Sequence, residues 1–378
     1  RLSLVGSEMC IRDSSKKWDS PIWYNMYYTN GFPDQMWSSA LGGGRLDWLS
    51  FQRMYDPALM RGATRVRLLN PISTSPVDCP VAVIFGHSAA MNWAGPHFDD
   101  VGMPLLNLFW NTGYPADLIP TSEIENGSLK VDEDGWVHYG DQRYAAVILY
   151  HPEFEKISTS QFFMEADKGK TALFQVGEWT RDFYGKAVDE NRLLPASMVV
   201  ENDYRDVYLK TMEVLRESGI RAQTPATEDL DETYYTLRDF GEVSKFPPTT
   251  GFCRLVDGTV IHVAGTKDVS GDPIQKDFMV NGHPVSVDAV GVAGVKVDEE
   301  GKLQALAAGS LKSFRCGSFA INLDERADVA LWIDDSGAWR GLLQGWEGPV
   351  PEELLRITRN WDRIRIPEAP ERPRYPQH

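Results

Sequence analysis

The chain has 378 residues, of which 42% are hydrophobic and 24% charged, an ordinary globular composition that excludes disorder and fibres. Its net charge of -16 opposes contact with nucleic acid or an anionic membrane. No run of about 18 apolar residues is present to span a bilayer.

Arg1 to Ser14, RLSLVGSEMCIRDS, has neither helical nor strand period and no apolar core for a signal peptide. It resembles translated sequencing-adapter readthrough, so native sequence is expected from Ser15. From there to residue 75 the chain is dense in aromatics, Gly and Asn. Ile22–Tyr28 reads as a buried strand, broken by the turn signal Thr29-Asn30-Gly31. The glycines at 42–44 forbid a regular element, and an apolar stripe of Leu49, Met54, Leu59 and Met60 predicts a helix over Trp48–Met60.

Residues 76–224 alternate strands and helices. Val81–Phe85 (VAVIF), Ala116–Pro120, Tyr144–Tyr150 (YAAVILY) and Ala172–Val176 are apolar runs suited to parallel strands buried on both faces. Helices are expected at Pro104–Thr112, Ser158–Lys170 and Tyr204–Ser218, the last with Val207, Leu209, Met212 and Leu215 on one face and Gly219 as its stop. Right-handed crossovers then give a flavodoxin-like doubly wound parallel sheet. A proline-bounded acidic linker, 225–248, separates it from residues 249–346, where short alternating runs and turn pairs such as Asp257-Gly258 predict an antiparallel β-sandwich of six to eight strands. Residues 347–378 read as a C-terminal tail, most proline-rich from Pro367.

Four cysteines without CxxC or Cys/His spacing support neither a zinc site nor a disulfide framework, and no cofactor or metal is expected. Phe85-Gly86-His87-Ser88-Ala89-Ala90 follows a strand directly, as in the nucleophile elbow of α/β-hydrolases. An esterase needs strands ahead of that elbow, whereas VAVIF opens its sheet. His87 and Ser88 are therefore placed at the crevice of the α/β domain, with a Ser88 esterase as the second alternative. Asp34, Trp37, Arg45, Asp47 and Trp48 combine aromatic platforms with polar groups on a Gly-rich loop, which is what a sugar subsite requires.

WYNMYYTNGFPDQMWSSALGGGRLDW, YDPALMRGATRVRLLNP, CPVAVIFGHSAAMNWAG and GYPADLIPTSEI with WVHYGDQRYAAVILYHPEF together resemble family 42 β-galactosidases over residues 18–345. The resemblance implies a (β/α)8 barrel whose end is residues 15–75, an amidotransferase-like second domain and a β domain. In those enzymes the acid/base and nucleophile are Glu residues on the fourth and seventh barrel strands, and no position here matches either. The expectation is thus the C-terminal part of a glycoside hydrolase, truncated before its catalytic carboxylates. Its partners would be a carbohydrate substrate and other copies of itself through the flavodoxin-like domain. The alternative is a non-catalytic carbohydrate-binding or oligomerisation module. Neither the sugar nor the compartment is legible.

Overall fold

The computed structural model describes residues 15–18, 20–21, 23–26, 32–49, 57–189, 193–223, 250–265 and 271–366. The expectations for 1–14, for the linker 225–248 and for the proline-rich end after residue 366 lie outside these residues. The described residues form two compact units: one from 15–20 and 78–223, the other from within 21–77 together with 250–366.

The second unit begins with strand β1 (Trp23–Met26), helix α1 (Phe32–Leu41), strand β2 (Arg45–Leu49) and helix α2 (Pro57–Arg67). β1 and β2 pair in parallel, so this is one βα crossover. The helix expected over Trp48–Met60 is a strand end followed by a later helix. Pro57 explains the shift, because its missing N–H and fixed φ suit the first helical position. α1 stands where a loop is expected, and its sequence, FPDQMWSSAL, places Met36, Trp37, Ala40 and Leu41 in the core.

In the first unit, β3 (Val81–Phe85) leads through Gly86 into α3 (His87–Asn92), then α4 (Met103–Asn111), β4 (Ala116–Pro120) and the single turn α5 (Ser122–Glu125). A small antiparallel sheet follows, β5 (Leu129–Val131), β6 (Val137–Tyr139) and β7 (Gln142–Tyr144), which takes up the start of the run expected as one strand. Then come β8 (Ala146–Tyr150), α6 (Ile157–Ala166), β9 (Ala172–Val176), β10 (Val199–Glu201) and α7 (Tyr204–Glu217).

Five strands form an all-parallel sheet in the order β10-β9-β8-β3-β4. Counted along the chain this is 2-1-3-4-5, the flavodoxin order. Every residue of β3 and β8 is buried, as a sheet covered on both faces demands. Each buried Val, Leu or Ile there contributes about 1.5–3 kcal/mol. α4 and α7 pack together on one face, where Phe109 and Tyr208 meet at 5.1 Å, and α5 and α6 pack together beside β5. α7 is capped by Asp203, whose carboxylate accepts from the Arg205 N–H at 2.9 Å.

The remainder of the second unit is a nine-stranded, mostly antiparallel sheet: β11 (Thr250–Arg254), β12 (Val260–Ala264), β13 (Pro273–Val280), β14 (His283–Val290), β15 (Val292–Val297), β16 (Leu303–Cys316), β17 (Phe319–Ile333), β18 (Trp339–Gln344) and β19 (Trp361–Ile364). The 14- and 15-residue strands β16 and β17 serve two layers. The first half of β16 pairs with β15 and its second half with β14, so the sheet folds over on a shared core that includes Val285, Val287, Val295, Leu306 and Val329. The corner is at Ser310, which sits at φ +43 within the register shift between Ala308 and Leu311. Ser310 donates its N–H to Asp328 Oδ1 at 2.5 Å, and Arg65 of α2 donates to Ser310 Oγ at 2.8 Å. Beyond Gly345 the chain adds the short helix α8 (Glu352–Leu355) and lays β19 in parallel along β18, so residues 347–366 extend the sheet.

Candidate functional site

A 2-1-3-4-5 sheet opens a crevice where the connections leaving its first and third strands diverge, beyond the C-terminal ends of β3 and β8. Gly86-His87-Ser88 leave β3 at that point. Leaving β8 are His151, Pro152, Glu153, Phe154 and Glu155, and the loop between α3 and α4 contributes His97 and Asp100.

The His97 and His151 rings stack at 4.0 Å and 8°. Tyr150 stands edge-on to His151 and donates its hydroxyl hydrogen to Asp100 Oδ2 at 2.9 Å, an oxygen 3.8 Å from His151 Nε2. Burial, reinforced by the neighbouring His97, lowers the His151 pKa, while Asp100 acts in the opposite sense. Burial and the Asp100 carboxylate raise that of Tyr150 well above the ordinary phenol value.

His151 (φ +46) and Phe154 (φ +61) are in the left-handed region, held by the bonds from His151 N–H to Val176 O and Phe154 N–H to Arg181 O. Glycine is required on both sides of His151. A Cβ on Gly86 would come within 2.8 Å of the His151 carbonyl oxygen, and one on Gly177 within 2.5 Å of its Nδ1. The space left among these groups is about 10 Å³, room for one water molecule.

Glu155 lies behind this cluster, 1% exposed. Its carboxyl accepts from the Ser88 N–H at 3.4 Å and from Thr159 Oγ1 at 3.2 Å. Burial raises its pKa to about 7, against hydrogen bonds from Thr121, Ser88 and Thr159 that favour the carboxylate. Such a group exchanges a proton near neutrality, and it ties together the ends of β3 and β8 and the start of α6. Burial lowers the His87 pKa, and its N–H donates to Thr121 Oγ1 at 3.2 Å.

The structure thus places both crevice residues named from sequence, His87 and Ser88, at the strand-to-helix turn. Among the described residues, no hydrogen bond joins the Ser88 hydroxyl to an imidazole, so nothing here activates it as a nucleophile. Burial also raises the Cys79 and Cys316 thiols, which keeps them protonated. No group of three or more His, Cys, Asp or Glu among the described residues is placed to hold a metal ion. No spacing in the sequence groups His97, Asp100, His151 and Glu155 with His87 and Ser88. The available signal was the run His151-Pro152-Glu153-Phe154-Glu155 directly after a fully buried parallel strand.

Of the five residues expected to bind sugar, two lie on α1 and three on β2. Asp34 lies on α1 and Asp47 and Trp48 on β2, with side chains outside those described. Trp37 is fully buried and packs inside its unit, so neither ring face is open to a sugar. Arg45 donates Nε–H to the Ser73 carbonyl at 2.6 Å and holds its guanidinium 5.4 Å from the ring of Trp23, which is 54% exposed. Trp23 is therefore the aromatic surface beside Arg45.

No family model and no curated protein matches this sequence. Among solved structures, the chain is similar to an apo exo-carrageenase of family GH42 from Bacteroides ovatus at 11% identity and a TM-score of 0.30. The likeness covers 65% of this chain and 27% of that one, and an overlap this loose specifies neither fold nor activity.

Proposed function

We propose that this chain is the part of a glycoside hydrolase that follows its catalytic carboxylates, and that it supports cleavage rather than performing it. The observation carrying the reading is the order of elements along the chain. A parallel βα crossover comes first, then a parallel sheet of flavodoxin order, then a folded antiparallel sheet. That is the succession which the resemblance to family 42 β-galactosidases implies, with the crossover as the end of the barrel.

The interior of the α/β unit agrees with a supporting role. Its crevice has room for about one water and, among the described residues, no activated nucleophile, whereas glycosidic cleavage needs two carboxyl groups flanking a bound sugar. The test is to recover the complete gene and compare hydrolysis of chromogenic glycosides by the whole protein and by this chain. Hydrolysis by the whole protein alone is expected. Upstream sequence without a βα barrel, or a whole protein that cleaves no glycoside, would overturn the reading.

A further inference from the structure

The sequence contains three Asn-Gly pairs, at 30–31, 126–127 and 281–282. This dipeptide carries a chemistry of its own. The glycine has no Cβ to shield its backbone nitrogen, which can close on the side-chain amide of the asparagine before it. The pair at 30–31 lies outside the described residues, and the fold holds the other two in opposite ways.

Asn281 and Gly282 are the central residues of the tight turn between β13 and β14, where Val280 pairs with His283. Both are at positive φ, +48 and +80, as a two-residue hairpin turn demands. The Asn281 amide is fixed. Its Nδ2 donates to the Val297 carbonyl at 2.7 Å, and a Cβ on Gly258 would come within 2.8 Å of that nitrogen. Carrying Asn281 Cγ to the Gly282 nitrogen means breaking that bond and prising apart the ends of two eight-residue strands.

Asn126 and Gly127 follow the single turn α5, four residues long and without a side-chain cap at its start. Both are exposed, and the Asn126 side chain has no hydrogen-bond partner among the described residues. A Cβ on Gly127 would meet nothing within 4 Å, so the approach to its nitrogen is open. The Gly127 N–H is donated to the Ile124 carbonyl at 3.1 Å and the Ser128 N–H to the Glu123 carbonyl at 3.0 Å. These are the last bonds of one helical turn, which opens by local fraying and leaves the sheets intact.

We propose that Asn126 is a site of spontaneous deamidation in the folded protein and that the fold protects Asn281. The Gly127 nitrogen gives its proton to hydroxide and bonds to Asn126 Cγ. The Cγ–Nδ2 bond breaks, and Nδ2 leaves as ammonia with a proton taken from water, which restores the hydroxide. The five-membered imide then takes up one water. Opening at Cγ leaves aspartate, and opening at the main-chain carbonyl leaves isoaspartate, with the backbone routed through the side chain. No electrons are exchanged, and water is the sole co-reactant. Either product adds a negative charge beside Glu123 and Glu125, whose partners are Lys17 at 2.9 Å and Lys156 at 2.7 Å. The inference stands apart from the glycosidase reading, because it requires no substrate.

The test is incubation of the full chain at pH 6 and pH 8, folded and in urea, followed by site-resolved mass spectrometry and enzymatic methylation of isoaspartate. In the folded chain Asn126 is expected to convert at least about fivefold faster than Asn281, a difference that one retained hydrogen bond supplies. Conversion should be faster at pH 8 than at pH 6, because the attacking nitrogen must lose its proton. In urea the two positions should convert at similar rates. The proposal is overturned if Asn126 keeps its amide in the folded chain while the unfolded chain loses it, if folded Asn281 converts as fast, or if the preference for Asn126 persists in urea.

Discussion

Tyr144 donates its hydroxyl hydrogen to Asp117 Oδ2 across 2.7 Å, and the ammonium of Lys16 meets the same oxygen. All three side chains are buried. Lys16 also donates to Gln142 Oε1 at 2.9 Å, while Asp117 Oδ1 has no partner among the described residues. Burial opposes the charge on Lys16, but the Asp117 carboxylate, with its direct hydrogen bond, and Cys79 raise its pKa, so the ammonium stays charged inside the fold. Lys16→Met would strand the carboxylate and is expected to cost about 3–5 kcal/mol in urea unfolding, with Asp117→Asn in the same chain restoring much of it. A loss below about 1 kcal/mol would mean that water reaches the pair.

Glu155 gives the α/β unit a pH dependence of definite sign. Its folded pKa of about 7 exceeds the usual value of 4.5, so its contribution is fully present below about pH 4.5 and is lost as pH rises through 7. The loss is on the order of 3 kcal/mol. Glu155→Gln keeps the shape without the charge. Melting curves at pH 5 and pH 8 should lie closer together in the variant, and an unchanged separation would assign the dependence to other groups.

His262 on β12 acts in the opposite direction. It is buried against Phe252 at 4.1 Å, with Nδ1 unpartnered among the described residues, and burial lowers its pKa to about 4. Its neutral form is compatible with the core, so stability is present above about pH 6.5 and falls as pH drops towards 4. His262→Phe should raise the melting temperature of the β unit most at pH 5 and little at pH 8. Equal gains at both would attribute the effect to packing alone.

Trp37 separates a sugar contact from a core residue. Fully buried on α1, it should cost about 3–5 kcal/mol when replaced by Ala, seen as earlier urea unfolding. Trp23→Ala, at an exposed ring, should leave the same midpoint within about 0.5 kcal/mol. Equal midpoints in the two variants would contradict the placement of Trp37.

β3, β4 and β9 occupy the residues expected of them, because a parallel strand covered on both faces is written as a short unbroken apolar run. α1 is hidden in sequence because its ten residues begin at a Phe-Pro pair after an aromatic stretch and run straight into three glycines, with no capping side chain directly before Phe32 to announce a start. The strand end at Trp48 looked helical because Leu49 and Met60 fit a stripe that Pro57 interrupts. Two of the six crevice residues were readable, since His87 and Ser88 adjoin β3. The rest, His97, Asp100, His151 and Glu155, arrives from loops up to 67 positions away, brought together by strand order rather than by any local pattern.

The second unit is assembled from two stretches that the ribosome makes far apart in time. Val77 bridges to Leu255, Ile72 lies against Gly294 of β15, and Arg65 reaches Ser310. At about 5–20 residues per second, the α1–α2 segment must wait many seconds for these partners, while the α/β unit is completed and can fold first. During that interval the face of α1 that packs on β11 and β12 lacks those strands. Chaperone dependence and aggregation during expression should therefore trace to residues 32–72. A circular permutant that makes the β sheet immediately before them should give a higher soluble yield.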